Sequence, residues 1–133
     1  MKHIIKPHDL NWEPKVFPGE TTRSGEFKAL WKAHESSQFE MRLTRMGPGE
    51  TNTKYHTHTR EEEWFFVIRG SCHVCINGEW SLIETGDSVF KPVGDYHIFR
   101  NFGDEPCEIL MLGSNVEGSA AERRPEPEPP RLD

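Results

Sequence analysis

The sequence predicts an all-β fold in one small barrel-like domain. Three observations lead there. Apolar and polar residues alternate with a period of two over several short runs. Gly, Pro, Asn and Asp punctuate those runs at close spacing. No amphipathic stretch of ten or more helical residues competes with them, and there is no internal repeat.

Residues 1–25 are polar and carry Pro7, Pro14, Pro18, Gly19 and Gly25, which predicts an irregular N-terminal arm with short extended pieces. Residues 26–35 accept either a strand or a short helix, and the strand is favoured by the β pattern that follows. Phe39, Met41 and Leu43 then alternate with Glu40, Arg42 and Thr44 as a half-buried strand, closed by Gly47-Pro48-Gly49. Thr53–His58 is read as the next strand, followed by an acidic loop at 59–62. Glu63–Arg69 is aromatic and β-branched, and Gly70 ends it. Cys72, Val74 and Ile76 alternate up to Asn77-Gly78, the strongest short hairpin signal. Trp80–Ile83, Ser88–Lys91, His97–Asn101 and Glu105–Leu112 complete the series, with turns at Thr85–Asp87, Pro92–Asp95 and Gly103-Asp104. Residues 117–133 are rich in Pro and Glu and predict a disordered or extended tail. The organisation is thus an arm (1–25), a barrel (26–116) and a tail (117–133).

Composition narrows the function. The chain has 133 residues, 34% hydrophobic and 29% charged, with a net charge of −6. That length excludes a separate cofactor-binding domain. The acidic balance and the absence of a Lys/Arg block argue against nucleic acid and anionic membranes, and for a small-molecule ligand. The apolar runs are far short of the roughly 20 residues a spanning helix needs. Three cysteines, Cys72, Cys75 and Cys107, make no disulfide framework. The Cys72–Cys75 spacing falls on a strand, where positions three apart face opposite ways, so Cys72 is assigned to the core. The start of the chain lacks the apolar stretch of a signal peptide, and the cytoplasm is the expected compartment.

The chemistry concentrates in mid-chain. His56 and His58 are two apart, so on a strand both imidazoles share one face. Glu63 opens an apolar strand, where an inward carboxylate needs a compensating cation; Glu62 is the alternative by spacing, and Glu61 reads as a solvated loop residue. His97 heads another strand. Three imidazoles and a carboxylate make a mixed N/O site for one first-row divalent metal, iron, manganese, nickel, zinc or copper, with iron or manganese favoured.

These residues resemble the two signatures of the cupin superfamily. Gly49, His56, His58, Glu63 and Gly70 match the first, with one extra residue after Gly49; its spacing to Gly70 selects Glu63. Gly86, Pro92, Gly94, His97 and Asn101 match the second at every spacing. The resemblance implies a single-domain jelly-roll β-barrel with the metal near one open end. It implies His56, His58, Glu63 and His97 as ligands, and Asn101 as a framework residue.

Alternation then gives an expected pocket of Lys54, Phe65, Val67, Phe90 and Phe99, aromatic and mostly apolar. Lys54 and Tyr96 are the candidate catalytic side chains beside the metal. Because no further acid–base group stands out, the expected function is a metal-dependent oxygenase on a small organic molecule. The alternatives are a metal-dependent isomerase, lyase or decarboxylase, or a non-catalytic small-molecule or sugar-binding protein. A homodimer is expected, since such barrels often pair through their sheets.

Overall fold

A computed structural model describes residues 2–15, 24–114, 124–125 and 129–132. After a 3-10 turn at Pro7–Asp9, the order is β1 (Glu13–Pro14), β2 (Glu26–Ala29), α1 (Leu30–His34), β3 (Phe39–Met46), β4 (His56–Thr57), β5 (Glu63–Arg69) and β6 (Ser71–Ile76). There follow β7 (Glu79–Glu84), β8 (Ser88–Lys91), β9 (His97–Arg100), β10 (Cys107–Ser114) and β11 (Arg124–Pro125). The strands form two sheets, ordered β1-β2-β3-β10-β5-β8 and β11-β4-β9-β6-β7. The two face each other as a jelly roll. Met46, Phe65, Val67, Cys72, Val74, Phe99, Cys107 and Ile109 fill the space between them.

Local chemistry explains the joints. Asn77 and Gly78 both adopt positive φ (49° and 87°), the turn whose twist matches the β6–β7 hairpin. Gly70 has φ +81°, and a Cβ there would sit 2.4 Å from the Pro106 carbonyl oxygen, so only glycine lets β5 turn into β6 this close to β10. Asn101 is fully buried; its Nδ2 donates to Met46 O (3.1 Å) and Glu105 O (2.7 Å), and its Oδ1 accepts from Gly103 N (2.9 Å). It is a framework residue.

Residues 26–35 are not one strand. β2 pairs with β3 only as far as Ala29↔Arg42, and the chain then makes the short helix α1, ended by Glu35 in the left-handed region. The expected strand over 53–58 is also shorter: ladder pairing is confined to His56 and Thr57. Of the tail, most lies outside the described residues. Arg124 and Pro125 pair with Thr57 and His56, and Trp80 Nε1 donates to Pro130 O at 2.7 Å. Among the described residues no helix is long and apolar enough to cross a membrane.

Candidate metal centre

The site lies at one end of the sandwich, and strand register builds it. Partners directly opposite in a ladder face the same way. Glu63 on β5 is level with Lys91 on β8 and Gly113 on β10, and Gly113 is level with Glu40 on β3. One step deeper the row is Val89, Phe65, Met111 and Arg42. Deeper still come Val67, Ile109 and Thr44. The inner face therefore grades from charged at the mouth to mostly apolar at the floor.

The other sheet supplies the imidazoles. His56 on β4 pairs directly with His97 on β9, their rings 4.7 Å apart. His58 follows β4, and its backbone oxygen accepts from Gly94 N at 2.9 Å, which ties it to the loop before His97. The donors of His56, Glu63 and His97 all lie within 4.8 Å of one another. His58 joins them: its Nε2 is 3.2 Å from His56 Nε2 and 3.5 Å from Glu63 Oε1. His97 Nε2 is 3.7 Å from the same carboxylate oxygen. All four side chains are buried.

The donor set fits a metal ion. His56 Nδ1 donates to the Lys54 carbonyl (2.5 Å), which puts the ring's lone pair on Nε2. Glu61 Oε2, 3.4 Å from His58 Nδ1, favours the proton there and the lone pair again on Nε2. Two lone pairs and a carboxylate oxygen thus converge, an arrangement that repels itself unless a cation shares it. Ligands about 2.1 Å from one ion lie roughly 3 to 3.5 Å apart, close to the 3.2, 3.5 and 3.7 Å found for these three contacts. Burial, with the nearby Lys91 ammonium, holds the His97 imidazole well below its ordinary pKa, so it is neutral and ligand-competent.

Beside the quartet is a cavity of about 40 Å³. A water needs roughly 10–15 Å³ measured this way, so the space suits an ion with a few further ligand atoms. Its wall is polar, not the aromatic lining expected. Phe65 contributes, 5.3 Å ring to ring from His97, but Lys15, Glu40, Arg42, Thr53 and Glu61 make up much of the rest.

Five of the expected side chains need correction. Lys54 is exposed and does not line the cavity. The chain bends before β4, so alternation does not extend back from His56; Thr53 is the buried residue, and Lys54 turns its carbonyl to His56. Phe90 is 40% exposed and packs on Trp64 at 4.7 Å, because its register partner Trp64 faces outward. Tyr96 packs against Tyr55 (5.8 Å) and is not on the cavity wall. Val67 and Phe99 are fully buried in the core beneath the cavity.

Besides Lys15, Glu40 and Arg42, two further charged side chains escaped the sequence reading. Lys91 is 0% exposed, its Nζ 3.9 Å from Glu63 Oε1. Glu61, taken as a solvated residue, is 5% exposed and lines the cavity. Its carboxylate occupies the gap over Gly113, where a Cβ would come 2.4 Å from Glu61 Oε1. The absent side chain at 113, level with Glu63, was the one signal in the sequence.

Comparison with known proteins agrees with this architecture. The family described as Cupin domain matches residues 42–113. The mannose-1-phosphate guanylyltransferase ManC of Salmonella typhimurium is 28% identical over 88 residues, 63% of this chain and 18% of that protein. The polyketide synthase protein CurC of Streptomyces cyaneus is 33% identical over 71 residues, 53% of this chain and 46% of its own. The chain thus spans less than half the length of either relative. A sugar phosphate isomerase from Silicibacter pomeroyi superposes with a TM-score of 0.79 at 24% identity, covering 85% of this chain and 76% of the other, a likeness of fold.

Proposed function

This chain belongs to the cupin domain family, and from that premise we propose that it is a divalent-metal-dependent enzyme acting on a small, oxygen-rich organic molecule. The observation that carries the reading is the convergence of His56 and His58 Nε2, 3.2 Å apart, on Glu63, with His97 completing the set. Iron or manganese suits three imidazoles and a carboxylate. A bound divalent ion would supply Lewis acidity to a substrate oxygen.

The chain's own groups favour an isomerase or lyase over the oxygenase expected first. That expectation rested on the lack of any acid–base group beside the ligands. Glu61 removes the reason: its buried carboxylate lines the cavity, where Oε1, the oxygen not turned to His58, can hold or accept a proton. Lys91, behind Glu63, offsets part of the negative charge gathered there.

Metal analysis of protein purified without chelators tests the centre. About one divalent ion per chain is expected, lost in His56→Ala and His97→Ala; full occupancy in both variants overturns the ligand set. Reaction type is read by proton NMR in deuterated water with α-hydroxy ketones, alongside an oxygen electrode with enols and catechols. Metal-dependent exchange at the carbon next to the carbonyl, without oxygen uptake, is the expected result. Oxygen uptake without exchange would return the oxygenase to first place.

A further inference from the structure

Arg42 has more hydrogen-bonding capacity than the described residues use. It sits on β3 one row below Glu40, faces the cavity, and its side chain is 18% exposed. Its guanidinium carbon lies 5.0 Å over the Trp31 ring and 5.3 Å over the Phe27 ring, so aromatic faces hold the planar group in place. A guanidinium offers five N–H donors. Nη2 donates to Glu40 Oε1 at 3.3 Å. Nε is shielded from solvent and has no hydrogen-bond partner among the described residues. A buried donor left unmet is destabilising and calls for an acceptor.

The surrounding charge says what kind of acceptor. Lys15 reaches the same wall from the N-terminal arm. Three carboxylates (Glu40, Glu61, Glu63) face Lys15, Arg42 and the divalent ion proposed above, which leaves the loaded cavity positive by one charge. β3 is two strands from β5, about 10 Å between backbones, and both side chains point inward, so a molecule of a few carbons spans from Arg42 to the centre.

We propose that Arg42, flanked by Lys15, is an oxyanion subsite that binds a carboxylate or phosphate group of the substrate while the rest of the molecule faces His56, His58, Glu63 and His97. Fixed, planar and multiply donating, the guanidinium is suited to two oxygens of one anion. This rests on the metal-centre reading for the far end of the ligand, but Arg42 itself is testable without metal.

The experiment is calorimetric titration of manganese-loaded and of chelator-stripped protein with glycolate, inorganic phosphate and the neutral ethylene glycol. At least one anion should bind about tenfold or more tightly than ethylene glycol, the scale of a charge-assisted hydrogen bond. Arg42→Gln should lose at least that factor in both forms with manganese content unchanged, and Arg42→Lys should keep part of it. Glycolate and phosphate separate a carboxylate from a phosphate source. Equal binding of anions and ethylene glycol by the wild type overturns the proposal without any variant, as does wild-type anion affinity in a folded Arg42→Gln. Failure to load manganese, with Arg42-dependent anion binding intact in stripped protein, would remove the metal-centre reading and leave the subsite standing.

Discussion

Glu61 Oε2 lies 3.4 Å from His58 Nδ1, on the side of the ring away from Glu63. A carboxylate in that position holds an imidazole's tautomer and orientation, and losing such a partner typically weakens metal binding 10- to 100-fold. Glu61→Gln should therefore bind manganese or iron about 10-fold or more weakly, measured by competition with a chelator of known affinity. Gly113→Ala should do the same for a different reason. Its Cβ would meet Glu61 Oε1 at 2.4 Å, and the flexible carboxylate is what gives way, so the barrel still folds. Since both changes disturb one contact, the double variant should bind no more weakly than the worse single variant. Additive losses would show that Glu61 does not act through His58.

Asn101 should prove to be structural. It satisfies two carbonyls and one N–H inside the barrel. Removing its amide orphans buried groups at about 1–3 kcal/mol each, so Asn101→Ala should lose about 3 kcal/mol of unfolding free energy in urea. Its remaining folded fraction should still load metal. A loss under about 1 kcal/mol would mean that water replaces the amide.

The clustering of His56, His58, Glu63 and His97 was legible because its spacing is local: two histidines one residue apart at β4, a fixed gap to β5, and a Pro-x-Gly turn before His97. The lining was not, because register set over long sequence distances decides it. Nothing within β8 says that Lys91 turns in and Phe90 out; the pairing Glu63↔Lys91 decides that, against the preference of both residue types. Glu61 looked like its neighbour Glu62, which is exposed. Only the missing side chain at Gly113, on a strand far along the chain, makes room for one of them. Arg42 was visible as an alternating strand residue, but the rings of Phe27 and Trp31 that hold it belong to the segment whose strand–helix break was not predicted.

His97 predicts the acid sensitivity of metal-free protein. Its pKa is depressed in the fold, first by burial and then by neighbouring positive charge. An unfolded histidine protonates near 6.5, so between the folded pKa and that value the unfolded state binds the extra proton. Stability from this group is complete above about pH 6.5 and is lost on acidification, by up to about 1.4 kcal/mol per pH unit. Urea titrations of chelator-stripped protein between pH 7.5 and 5 should show that slope, and His97→Gln should flatten it by a comparable amount. An unchanged slope in the variant would assign the acid sensitivity to other groups.

The last prediction concerns the outer face of the six-stranded sheet. Trp64, Phe66 and Ile68 on β5 are 53%, 46% and 42% exposed, and Phe90 on β8 adds 40%. Their neighbours on β10 and β3, Leu110, Leu112, Leu43 and Met41, share that face by register. Beyond Met41 and Leu112 an apolar groove against α1 continues the surface past Trp31 and Phe39. Four strands by seven residues span roughly 19 by 23 Å. That is roughly 440 Å², about half of the ~800 Å² each partner contributes to a standard interface, and the groove adds to it. The apolar part of the face is bounded at one end by Arg45 and Glu108, and a second copy related by a two-fold axis would cover that part with its own apolar residues. A homodimer is the expected species in light scattering at micromolar concentration. Phe66→Glu should shift it to monomer without changing the metal content, because Phe66 faces away from the cavity. A wild-type monomer at those concentrations would reject the homodimer, and a dimer that survives Phe66→Glu would place the interface elsewhere.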